Sequence, residues 1–113
     1  MSSKSRDEIW EEWREKVNMA PAELEDWLET DRSKEVGDSD EGESTGHKSG
    51  RRIVEIKRTN KDDLSDDQWD HMAEVVAYIN RHCAQVPDDP EGSDWEASLK
   101  NWGHDPMADG GCA

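Results

Sequence analysis

Phenylalanine is missing altogether, tyrosine occurs once and cysteine twice among the 113 residues. A core without phenylalanine must draw its aromatic mass from tryptophan, and six are present: Trp10, Trp13, Trp27, Trp69, Trp95 and Trp102. Each buries a large area. Together they offset a hydrophobic fraction of only 31% and a mean hydropathy of −1.20, values that alone border on those of chains that stay unfolded. One small domain with a modest core is the expectation. The two cysteines, Cys83 within a helical pattern and Cys112 next to the C-terminus, make neither a disulfide framework nor a CxxC pair, so a reducing interior is expected. No apolar run is long enough to span a bilayer and MSSKSRDEIW carries none, which predicts a soluble, cytoplasmic protein without membrane contact. Sustained alternation with β-branched residues is also lacking, as is any internal repeat, which argues against sheet folds and solenoids.

Positive charge is the other shortage. Fourteen Lys and Arg stand against 29 Asp and Glu, a formal charge of −15, with a pI near 4.5. Such self-repulsion destabilises a compact chain at low ionic strength, and molar salt screens it within about 3 Å. A salt-adapted surface in a salt-rich cytoplasm is therefore expected. The competing explanation is an acidic protein that meets basic partners.

What is present reads as helix. Ile9, Trp10, Trp13 and Val17 share one face between Arg6 and Val17, and Pro21 opens a second segment with Leu24, Trp27 and Leu28 on its stripe. The two are expected to form a hairpin through residues 18–20. Residues 33–48, SKEVGDSDEGESTGHK, read as a long acidic loop. Ser49 is the expected N-cap of a short third helix, with Ile53, Val54 and Ile56 inward, ending near Arg58. Ser65 and Gln68 fit a capping box, with Leu64 stapling onto Trp69, and the central helix behind them runs to about Ala84. Ser93 and Glu96 make a second box, Trp95, Leu99 and Trp102 line up behind it, and Gly103 and Pro106 end the segment. The fold class is all-α, a small irregular bundle of about five helices. The domain covers residues 6–106, with a disordered N-terminus at 1–5 and a flexible tail at 107–113.

The scarce cations are not spread evenly. Lys48, Arg51, Arg52, Lys57, Arg58 and Lys61 face one acid, Glu55, between His47 and Lys61, a balance of +5, while eight cations face 28 acids elsewhere, a balance of −20. That asymmetry points to an interaction surface. Lys48, Ser49, Gly50, Arg51 and Arg52 are expected at the N-terminus of the third helix, where unpaired N–H groups favour an anion and Gly50 allows close approach. With His47 and Arg58 they form the candidate site for DNA or another phosphate-bearing ligand. The alternative is a structural or protein-interaction module, in which GHKSGRR is an internal electrostatic clasp and the acidic faces meet a basic protein. Net charge and high salt both weaken long-range attraction to nucleic acid, so the patch must act at short range.

Other chemistry has less support. His71, Glu74, His82 and His104 match no standard zinc spacing, DSDEGESTG misplaces its glycine and lacks the closing Glu of a calcium loop, and neither metal nor cofactor is assigned. Ser44, Ser49 and Ser65 have no His and acid that sequence pairs with them, and Cys83 reads as a core residue. A non-enzymatic protein, monomeric or weakly associating, is the expectation; an enzyme is the third option.

Four stretches, WEEWREKVNMAPAELEDWLETDRSKEVG, GESTGHKSGRRIVEIKR, HMAEVVAYINRHCAQ and SLKNWGHDP, resemble an uncharacterised family of short proteins catalogued as a domain of unknown function, over about residues 8–106. Some relatives carry the label DNA-binding, which the resemblance extends to this chain as an expectation. The chain departs from the family at Ala20, where a hydroxyl-bearing N-cap is expected.

Overall fold

The computed structural model describes residues 5–36, 45–108 and 111–112. Six α-helices lie among them: α1 (Arg6–Lys16), α2 (Pro21–Leu28), α3 (Asp31–Glu35), α4 (Thr45–Lys57), α5 (Asp66–Cys83) and α6 (Asp94–Asn101), with a 3-10 turn at Lys61–Asp63. The all-helical class holds, and no strand occurs among the described residues.

Local signals explain most helix starts. Ser5, Thr30, Ser65 and Ser93 each accept a hydrogen bond from the N–H three residues on, satisfying one of the orphan donors of a helix start. At α5 the box is reciprocal, since Gln68 Oε1 accepts from Ser65 N. At α6 it is not: Glu96 Oε1 takes the N–H of Gly92 instead. Ala20 has no side-chain oxygen to offer α2, and what remains is half a box, Glu23 Oε1 accepting from Ala20 N.

Two boundaries differ from expectation. The stretch read as loop from residue 33 starts inside α3, which Thr30 caps. It ends where α4 begins, at Thr45 rather than Ser49. Residues 37–44, most of the acidic segment and all but the last two residues of the rejected calcium pattern, lie outside the described residues, as do 1–4 of the expected disordered N-terminus and 109, 110 and 113 of the tail.

Burial follows the apolar stripes. Ile9, Trp13 and Val17 from α1 and its cap meet Trp69, Met72, Val75, Val76 and Ile79 of α5, and Leu24 and Leu28 of α2 meet Ile53, Val54 and Ile56 of α4 in one cluster. α1 packs mainly on α5 and α2 on α4, while α6 touches α2, α3, α4 and α5. α4 also touches α5 directly, and the residues at the end of α6 and after it, Asn101 to His104 and Pro106, are buried although four of the five are polar, glycine or proline.

Candidate functional site

α4 carries the cationic segment. Ile53 and Val54 face the core, as does Ile56, and Ser49 and Gly50 are buried with them. The remaining face turns Lys48, Arg51, Arg52, Glu55 and Arg58 to the exterior, as a helix period of 3.6 requires. Because the helix starts at Thr45, Lys48 to Arg52 are not its first turn. The expected pocket of unpaired N–H groups at Ser49 to Arg52 is therefore absent.

Gly50 does not serve close approach of an anion either. A Cβ there would lie 2.6 Å from the Asn101 carbonyl oxygen and 2.6 Å from Leu28 Cδ2. The glycine lets α4 close onto α2 and the end of α6. Ser49 points inward: its Oγ lies 2.9 Å from His71 Nε2, bridging α4 to α5. Glu74 Oε2 is 3.8 Å from His71 Nδ1, so serine, histidine and acid occur in relay order, a grouping that sequence spacing did not reveal. Ser49 is only 2% exposed, and the Nδ1 of His71 has no hydrogen-bond partner. The group thus acts as a core bridge. Burial, followed by the charge of Arg52, lowers the His71 pKa below its ordinary value, against weaker opposing effects of Glu74 and the Ser49 hydrogen bond.

The cations divide by task. Lys57 Nζ donates to Val17 O at 3.0 Å, capping the last turn of α1, and burial lowers its pKa despite the nearby Glu23. Arg58 pairs with Glu25 of α2. Lys61 lies 3.7 Å from Asp7 and 5.3 Å from the Trp10 ring centre. These three tie α4 and the turn after it to α1 and α2. Lys48, Arg51 and Arg52 stay on the exposed side. His47 Nε2–H donates to Leu28 O at 2.6 Å, closing the C-terminus of α2. Beside it a cavity of about 380 Å³ opens between α2 and α4, lined by Glu25, Leu28, Glu29, Lys34, His47, Arg51 and Val54. Its walls carry both signs of charge over an apolar floor.

The other conspicuous block, NWGHDP, is a buried joint. Asn101 Oδ1 accepts from Trp27 Nε1 at 2.7 Å and from Ser33 Oγ at 2.5 Å. Trp102 stacks on Tyr78 with ring centres 4.0 Å apart. Gly103 adopts φ 81, a left-handed conformation that favours glycine, and a Cβ on it would sit 2.9 Å from Val17 Cγ1. His104 Nδ1–H donates to Lys16 O of α1 at 2.6 Å. Asn18 and Asp105 exchange backbone to side-chain bonds of 3.0 and 2.7 Å.

A family model matches residues 12–100, which take in α4 with its partners Val17 and Glu25 and stop just before the joint, while Asp7 and Trp10 precede them. The chain belongs to the family described as a protein of unknown function, DUF3140. No curated protein and no solved structure matches it. The family match runs from within α1 into α6 and includes the whole of α4.

Metal donors come together elsewhere than on the α5 flank. His82 stacks on Tyr78, ring centres 3.9 Å apart, and donates from Nδ1 to Tyr78 O at 3.2 Å. The donor atoms that do converge among the described residues belong to Cys83, His104 and Cys112, all within 4.8 Å of one another. Contrary to the expectation of unpaired cysteines, Cys83 and Cys112 are joined as a disulfide, with Cα atoms 5.5 Å apart. Gly111 lies against Pro106 and Cys112 against Cys83, contacts that spacing along the chain does not encode. Finally, no helix among the described residues is long and apolar enough to cross a membrane.

Proposed function

We propose that the chain is a non-enzymatic binding module that recognises phosphate, most directly that of nucleic acid, through the outward face of α4. The observation that carries this reading is the exposure of Lys48, Arg51 and Arg52 together on one helix face of a chain whose net charge is −15. Arginine forks and a lysine point charge suit phosphate oxygens. Short-range contact is required, because the net charge opposes the approach of a polyanion at low salt, and at high salt attraction between exposed charges is screened beyond the Debye length. Arg58, engaged with Glu25, and the buried Ser49 and Gly50 serve as scaffold for that face and not as contacts. In this reading the protein is monomeric or weakly associating, acts in a salt-rich cytoplasm, and owes its acidic surface to solubility there.

Fluorescence anisotropy with labelled duplex and single-stranded DNA tests it. Wild type is compared with Lys48→Ala/Arg51→Ala/Arg52→Ala over a potassium chloride series, with circular dichroism confirming the fold at each point. Binding by wild type alone is expected, with a log–log salt slope of roughly −2 to −3 for three phosphate contacts. Absence of binding in every salt where the protein is folded, or equal binding by the variant, overturns it.

A second reading is favoured by the bonds of Lys57, Arg58 and Lys61 to α1, α2 and their flanks. There the whole segment is an internal clasp, and the acidic faces meet a basic protein. The same titration separates the two, since a clasp has no nucleic-acid affinity to lose.

A further inference from the structure

Three features converge where the C-terminal tail meets the end of α5. Gly111 lies so close to Pro106 that a Cβ would fall 2.2 Å from the Pro106 carbonyl oxygen, and its N–H donates to Ala108 O at 2.8 Å. Only glycine fits this return, which delivers Cys112 to Cys83. His104, 1% exposed, is held by the hydrogen bond from Nδ1 to Lys16 O. That bond puts the ring proton on Nδ1, so Nε2 presents a lone pair, and Nε2 lies 3.7 Å from Cys83 Sγ.

In the disulfide form that lone pair faces a sulfur with no proton to give. The separation is close to the edge of a tetrahedral metal site: bonds of about 2.3 Å to sulfur and about 2.0 Å to nitrogen place the two donors about 3.6 Å apart. The backbone carbonyl behind the imidazole is the outer partner that metal-binding histidines regularly have. Burial lowers the pKa of this imidazole, the Lys16 hydrogen bond and Asp105 opposing the effect and the Lys16 charge adding to it. Two thiolates and one imidazole are soft-to-borderline donors, suited to zinc rather than to magnesium or calcium.

We propose that Cys83, Cys112 and His104 Nε2 form a redox-gated site for a thiophilic divalent metal ion, closed as the disulfide and open as the dithiol. A dithiol reductant opens it, passing two electrons and two protons to the cysteines as it is oxidised to its own disulfide. The ion then displaces both protons and binds the thiolates and the imidazole, leaving one tetrahedral position open. A disulfide oxidant reverses this, taking the two electrons from the thiolates, releasing two thiolates of its own and freeing the ion. The oxidised and reduced chains thus differ in metal affinity while sharing the same helices.

Cobalt(II) is the probe, because thiolate coordination gives it a charge-transfer absorbance that carboxylates do not. The folded chain is treated with dithiothreitol, freed of reductant without oxygen, its thiols counted, and titrated with cobalt(II) and then zinc(II). Two free thiols, one equivalent of cobalt with the sulfur band, and its displacement by zinc are expected. The oxidised chain should show no such band. Cys112→Ala, at a half-buried position outside the helices, should retain the fold and lose at least the about 10-fold in affinity that follows removal of even an outer partner of a metal site. The proposal is overturned if the folded chain releases no thiols, if the reduced chain shows no sulfur band, or if the oxidised chain or Cys112→Ala binds cobalt equally well.

Discussion

Ser33 and Asn101, separated by 68 residues, hold each other in both directions: Ser33 Oγ donates to Asn101 Oδ1 at 2.5 Å, and Asn101 Nδ2 donates to Ser33 O at 3.1 Å. Both residues are buried. The pair welds the short helix α3 to the end of α6, and Trp27 Nε1 joins the same oxygen from α2. Buried polar groups are tolerable when fully satisfied and costly when one partner is removed.

Asn101→Leu therefore leaves Ser33 and Trp27 with buried donors and Ser33 with an unmet carbonyl. A loss of about 2–4 kcal/mol is expected, at about 1–3 kcal/mol for each orphaned group with partial relaxation. Urea denaturation followed by tryptophan fluorescence measures it, and a change within experimental error would show that the joint contributes nothing.

Gly50→Ala should destabilise despite alanine's advantage of about 1 kcal/mol inside a helix. The new methyl would press on a backbone oxygen, that of Asn101, which cannot swing aside as a side-chain end can. α4 must then move off α6, and a net loss of about 1–3 kcal/mol follows from overpacking. A gain in melting temperature would mean that the α4–α6 contact is looser than the structure has it.

His71 imposes a pH dependence with a definite sign. Its folded pKa is lowered, chiefly by burial, so below the unfolded value of about 6.5 the unfolded chain takes up a proton that the folded chain refuses. Stability contributed by the neutral ring is fully present above pH 7 and declines as pH falls through the unfolded value towards the folded one. Melting curves at pH 7.5 and 5.5 should show the decline, and His71→Gln should flatten it. An unchanged slope in the variant would assign the dependence to other groups.

The pair of Arg58 with Glu25 is half-exposed on both sides, so its worth is small. A double-mutant cycle with Arg58→Ala and Glu25→Ala should give a coupling of about 0.2–1 kcal/mol at low salt, shrinking as potassium chloride is raised. A larger, salt-independent coupling would identify it as a principal fastening of α4.

Salt should act on the chain as a whole in the opposite sense. With −15 to screen, the melting temperature is expected to rise between 0.1 and 2 M potassium chloride, since screening relieves self-repulsion. A flat or falling curve would remove salt adaptation as the reason for the acidity.

Sequence revealed α1, α2, α5 and α6 because each has an apolar stripe at helical spacing, joined in α2 by Pro21 at its start and in α5 and α6 by a serine cap, signals that act within a few residues. Ser65 with Gln68 is the clearest case. α3 escaped because five polar residues, DRSKE, have no stripe, and its Thr30 cap was the one available sign. The start of α4 was misplaced because Ser49 resembles a cap, whereas its hydroxyl bonds to His71, a partner 22 residues away. The cationic face was visible as a run of charge, but the split between bracing and exposed members was not, since it depends on where Glu25, Val17 and Asp7 arrive.

Composition, helical period and capping chemistry by themselves determined that the chain is all-helical, acidic and tryptophan-based, for these are properties of neighbours along the backbone. Tertiary structure alone decided that Gly50 and Gly103 are close-contact points, that NWGHDP is a buried joint, and that Cys83, His104 and Cys112 meet. Those contacts join residues far apart in the chain, and their energies depend on which surfaces close against one another, a quantity that no local pattern contains.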